Sequence, residues 1–169
     1  VDSAGNLFVA GTCDKALGVN SFQACIVKFD GATGATLWLR FYAGAGITVS
    51  GGLAIDAGGN PVVTTTCVPF GEVADYCVGK FDGANGNPVF STLLASGRSF
   101  LPYHVGIAPP RISLDAGGNL FVAGTCQAGS RRRFCTFKLN SAGVSQWTSY
   151  FDGSGDNTVH SLALDPSGN

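Results

Sequence analysis

DAGGN, residues 56–60, returns letter for letter at 115–119, and near copies stand at 2–6 (DSAGN) and 165–169 (DPSGN). Self-similarity at a fixed spacing takes precedence over element-by-element reading of a fold. The repeated Asp2, Asp56, Asp115 and Asp165 lie 54, 59 and 50 residues apart. Aligning on them puts LFVAGTC (7–13), PVVTTTC (61–67) and LFVAGTC (120–126) in register. CIVKFDGATG, CVGKFDGANG and CTFKLNSAGV follow in register, and then TLWLRFY, PVFSTLL and SQWTSYF. Three units therefore match along nearly their whole length.

Each unit reads as four short strands. In the second, GGLAID runs into the turn, PVVTTTC follows directly, YCVGKF comes after a variable loop and NPVFSTLL after DGANG. The turn chemistry is local: glycine supplies positive φ, while Asp and Asn hydrogen-bond neighbouring backbone and tolerate the left-handed region. The pairs Asp2/Asn6, Asp56/Asn60, Asp115/Asn119 and Asp165/Asn169 are accordingly read as turn formers.

Alternation in the third strand puts Cys25, Val27 and Phe29 on one side and Ile26 with Lys28 on the other. Lys80 and Lys138 stand at the same place in the other units. With both faces largely apolar, the strand fits a sheet sandwiched between two others, and the lysine fits a snorkelling or paired side chain near the Asp turn. No stretch carries a helical apolar period. The fold class is all-β, and tandem four-stranded units of this size read as β-propeller blades.

Read from the third unit into its neighbour, LDAGGNLFVAGTC, then FCTFKLNSAGVSQWTSYFDGSGDNTVHSLALDPSGN, the pattern resembles the SBBP (seven-bladed β-propeller) repeat family of bacterial secreted and surface proteins. The third unit is closest, with Lys138, the NSAG turn, Trp147 and FDGSGD in place. The second departs by Phe90 for Trp and Pro61 for Leu, and the cysteine pairs are an addition to the general repeat. The resemblance implies the architecture and no shared ligand or activity.

The expected organisation is one propeller segment over 1–169, with units at about 1–52, 53–110 and 111–160, and with 158–169 opening a further blade. Three blade equivalents fall below the usual 4–8. Either the chain is a segment of a longer ring or chain, which is the preferred expectation, or another copy of itself completes the ring. Residues 158–164 are expected to form a first strand whose second strand comes from elsewhere, because an unpaired apolar edge invites association.

The cysteines fall at 13/25, 67/77 and 126/135, always at the end of a second strand and the start of a third. These positions face each other across one hairpin, where opposite Cβ atoms lie about 4.5–5.5 Å apart, so three bridges within units are expected. Zinc would need ligands converging on one point, usually as closer cysteine pairs. Bridges imply an oxidising compartment, hence a secreted or cell-surface location.

Ten basic and eleven acidic residues leave a net charge of −1, which gives no indication of a nucleic-acid partner. Nor does any run approach the ~18 apolar residues of a membrane helix. Arg131, Arg132 and Arg133 are read as part of a loop, either simply solvated or in contact with an anion such as a sulfated polysaccharide. Asp152, Ser154 and Asp156 alternate oxygens as calcium loops do, but no bidentate Glu follows at the required offset. His104 and His160 have no nucleophile or carboxylate partner in pattern. Trp38 and Trp147 occupy equivalent fourth-strand positions and read as packing between blades.

No catalytic or metal site and no cofactor is expected. The reading is a non-catalytic extracellular scaffold or protein-interaction module of disulfide-stapled blades, of a kind that could build a surface fibre or sheath. Its partners would be other blades, another copy, a surface protein or a polysaccharide. The alternative is a carbohydrate-binding propeller, but the inter-blade loops, which a lectin would repeat, share almost nothing.

Overall fold

A computed structural model of the chain describes residues 1–14, 22–42, 48–67, 75–94 and 109–168. His104, Asn169 and most of the 95–110 insertion lie outside these. The described residues form strands and turns with no helix.

The first sheet contains β1 (Leu7–Asp14), β2 (Phe22–Phe29) and β3 (Thr36–Phe41). The second contains β4 (Thr48–Ile55), β5 (Pro61–Cys67), β6 (Asp75–Phe81) and β7 (Pro88–Leu94). The third contains β8 (Arg111–Leu114), β9 (Leu120–Ala128), β10 (Arg131–Leu139) and β11 (Ser145–Phe151). Each sheet is an antiparallel meander in chain order, and none closes into a barrel. Consecutive strands pair within each sheet, and the described connections between them are short turns. Gly5, Gly59 and Gly118 take φ near +80° where the Asp turns need the left-handed region. The register of the last two strands slips by one residue at Lys28/Phe29, Lys80/Phe81 and Lys138/Leu139, the same place in all three sheets.

The sheets stack face to face and bury two cores. Phe8, Ile26, Trp38 and Tyr42 of the first sheet meet Val63, Cys77 and Phe81 of the second. On the other side of the second sheet, Val62, Tyr76, Val78 and Leu94 meet Leu120, Val122, Phe137 and Leu139 of the third. The second sheet is thus apolar on both faces, as a middle layer requires.

Two expectations are corrected. Residues 131–133 are not a loop: they begin β10 and pair with 126–128 of β9, so the hairpin is tighter than the variable linkers elsewhere suggest. Residues 158–164 form no strand in the single chain, where the second strand expected from elsewhere is not among the described residues and β1 pairs, among the described strands, with β2 alone. The cysteines of each hairpin are not directly opposite. Cys13 pairs with Gln23 and Cys25 with Gly11, and the other two hairpins show the same offset. Strand twist brings this diagonal close, with Cα atoms 5.7–5.9 Å apart, and disulfides join Cys13–Cys25, Cys67–Cys77 and Cys126–Cys135.

Candidate functional site

The repeated polar residues form one network per unit. Asp2 Oδ1 accepts the N–H groups of Ala4 and Asn6, and Asn6 Nδ2 donates to Asp2 Oδ2 at 3.0 Å. Asp56 with Asn60, and Asp115 with Asn119, repeat this turn. Asn6 Oδ1 then accepts from Gly31 N–H and Asn60 Oδ1 from Gly83 N–H, which ties the first turn to the turn after the third strand. At Asp165, the carboxylate accepts the N–H of Ser167.

The lysines complete the network. Lys28 lies 3.0 Å from Asp2, and Lys80 lies 2.7 Å from Asp56. Lys138 sits 4.9 Å from the centre of the Phe121 ring, and its charge contributes to lowering the pKa of Asp115. Hydrogen bonds from Asn6, then from Lys28, hold the Asp2 carboxyl well below its ordinary range. Asn119 acts likewise on Asp115. Burial works to raise the Asp56 pKa, but the bonds from Lys80 and Asn60 outweigh it. The three carboxylates are therefore held in their charged form, with Lys28 and Lys80 as the counter-ions of Asp2 and Asp56.

The same residues link neighbouring sheets. Lys28 Nζ donates to Gly83 O at 2.8 Å and Trp38 Nε1 to the same oxygen at 3.4 Å. Arg40 reaches Asn85 O, and Thr92 Oγ1 reaches Gly143 O. Tyr42 packs over Gly79 and Tyr76 over Gly124, in each case where a side chain would collide with the ring. Burial pushes the Tyr76 hydroxyl up to about 12 and raises that of Tyr42. Neither tyrosine was singled out from the sequence. The available signal was Gly79 and Gly124, each interrupting an otherwise side-chain-bearing strand, as glycines do where another group approaches closely.

The arginine cluster and the candidate calcium oxygens turn out to be partners. Arg132 pairs with Asp156 at 3.2 Å, and Arg133 reaches Asp152 at 3.6 Å while stacking on Tyr150 at 3.8 Å. The Arg132 N–H and guanidinium lower the Asp156 pKa, its backbone bond first. Both carboxylates are neutralised, which argues against a cation there, and two of the three guanidiniums are occupied. Arg131 is exposed. His160 is exposed, and its carbonyl accepts from Arg111 Nε.

The two tryptophans part company. Trp38 is buried at 7 % exposure, edge-on to Phe8, whereas Trp147 is 44 % exposed although edge-on to Phe121. The expectation that both pack between units is corrected for Trp147, whose side of the third sheet is not covered by a further sheet. A groove of about 380 Å³ lies there, lined by Phe121, Thr136, Lys138 and Trp147 together with Leu162 and Leu164 of the last segment.

No known protein family and no characterised protein matches this sequence.

Proposed function

We propose that the chain is a non-catalytic extracellular scaffold whose stacked sheets are β-propeller blades of the SBBP repeat type, each stapled by its own disulfide. The observation that carries this reading is the fate of the repeated polar residues. Asp2, Asn6 and Lys28 in the first unit, and Asp56, Asn60 and Lys80 in the second, are bound within the turns, and Lys28 also bonds to the adjoining sheet. A site built for chemistry would leave that polarity facing a cleft in every unit, whereas Lys28 and Lys80 are paired and Lys138 borders the groove on the outer side of the third sheet. Three bridges in a chain of 169 residues suit a durable part in an oxidising environment. No described helix is long and apolar enough to cross a membrane.

Two experiments test the reading. Limited proteolysis with and without reductant should show a resistant oxidised chain that is digested after reduction. A glycan array should return no ligand. Binding of an oligosaccharide that disappeared on Trp147→Ala would replace the scaffold by the carbohydrate-binding alternative. Turnover lost with His160→Ala would replace it by an enzyme.

A further inference from the structure

The two internal interfaces show how one unit receives the next, and the outer faces of the chain present the two halves of that same contact. A Cβ on Gly86 would fall 3.0 Å from the Trp38 ring of the preceding unit, and one on Gly143 would fall 2.6 Å from the Phe90 ring. The equivalent glycine of the first unit is Gly34, in the same left-handed conformation (φ 72°), and nothing among the described residues lies within 4 Å of its Cβ position. The equivalent ring at the other end of the chain is Trp147. Likewise Tyr76 covers Gly124, whereas the matching Gly11 is open. The residue aligned with Tyr76 in the third unit is Phe134, on the outer face beside Phe151.

The strands tell the same story. Leu53 and Ile55 of β4 pack onto the core between the first two sheets, and Ile112 and Leu114 of β8 onto the next. Leu162 and Leu164, at the same distance from their turn aspartate, line the groove on the third sheet. Ser50 N–H donates to Thr12 Oγ1 of the preceding unit at 3.2 Å, and Val159 N–H donates to Thr125 Oγ1 at 3.0 Å. The last segment therefore occupies a first strand's place on the sheet before it, and lacks only a second strand beside it. Meanwhile β1 is a second strand that pairs, among the described strands, with β2 alone, and Leu7 and Val9 are 46 % and 44 % exposed.

We propose that a second copy of this chain docks head to tail on the third sheet, with residues 158–164 pairing antiparallel along its β1 and its first sheet covering Trp147. The registers Leu53↔Val63 and Ile55↔Pro61, and Ile112↔Val122 and Leu114↔Leu120, translate to Leu162 opposite Val9 and Leu164 opposite Leu7. Trp147 then rests on Gly34, Phe134 on Gly11, and Lys138 donates to Gly31 O as Lys28 does to Gly83 O. The contact is heterologous, joining two different surfaces, so it either closes into a ring or propagates. It rests on the scaffold reading only in taking the open face as a seat for another unit.

Sedimentation velocity of the oxidised 169-residue chain over a range of concentrations tests it. Dimers or longer assemblies are expected. Trp147→Arg should disable the donating face and Gly11→Leu the receiving face, each leaving monomers with unchanged circular dichroism. Mixing the two variants should restore a one-to-one dimer, because each keeps the half the other lost. If either variant fails to fold, Phe151→Glu and Val9→Lys replace them on exposed positions. A chain that stays monomeric at millimolar concentration, or variants that associate alone as well as the parent does, overturns the docking. A monomer that still resists proteolysis and binds no glycan would leave the scaffold reading standing.

Discussion

Tyr76 clamps the backbone of Thr125 from the neighbouring sheet: its hydroxyl donates to Thr125 O at 2.7 Å and accepts from Thr125 N–H at 3.0 Å. β8 stops short of this point, with Arg111 opposite Ala123, so the hydroxyl serves backbone groups beyond the end of a neighbouring strand. The ring covers Gly124 and is fully buried.

Tyr76→Phe should therefore leave a buried N–H and C=O unpaired and cost about 1–3 kcal/mol. Tyr76→Ala should cost more, about 3–5 kcal/mol by analogy with large aromatic truncations in cores. Denaturant midpoints at constant slope would show both. A Tyr76→Phe chain as stable as the parent would mean that water or another donor replaces the hydroxyl.

The disulfides close short loops, with partners 12, 10 and 9 residues apart. Loop-closure entropy assigns each on the order of 2–3 kcal/mol. Cys67→Ser combined with Cys77→Ser should lower the melting temperature by roughly 5–10 °C for a domain of this size. Peptide mapping without reduction should recover the three pairs within hairpins, and a fragment linking two sheets would contradict the structure.

Acid should destabilise the fold through the turn aspartates. Asp2, Asp56 and Asp115 titrate below the ordinary aspartate value of 3.8 in the folded chain, so the unfolded chain binds protons more readily as pH falls. Their contribution is complete above the unfolded value and is lost as pH drops towards the folded ones. The melting temperature should be level in this respect from about pH 7 to 5 and decline below about 4. Asp2→Asn should reduce the steepness of that decline, and an unchanged profile would show that the Asp2 network carries no linkage.

The Arg132–Asp156 and Arg133–Asp152 pairs are exposed enough for salt and solvent to screen them. Arg132→Ala should change stability by no more than about 1 kcal/mol. Adding millimolar calcium should leave the melting temperature where it was, since both carboxylates already face guanidiniums. A calcium-dependent rise abolished by Asp156→Asn would restore a metal site.

Much of this molecule was legible from spacing alone. The period of DAGGN implied three like units, the turn residues placed the hairpins, and strand alternation put Lys28 and Lys80 beside the turns, where they meet Asp2 and Asp56. These are local relations, set by backbone sterics and by side chains a few residues or one hairpin apart. The arginines were misread as a loop because a two-residue connection between β9 and β10 has no spacing signature in a chain whose other linkers vary in length.

What tertiary structure decided was which copies of a repeated residue are covered. Trp38 and Trp147 occupy aligned positions, yet one is buried and the other open, and Gly86 and Gly34 divide in the same way. The disulfide diagonal, the Tyr76 clamp on Thr125 and the pairing of Arg132 with Asp156 also depend on how strands twist and sheets stack. A repeat encodes each unit's own hydrogen bonds equally well in every copy. Burial is a property of neighbours, and the position of a unit in the stack determines which of its faces has one.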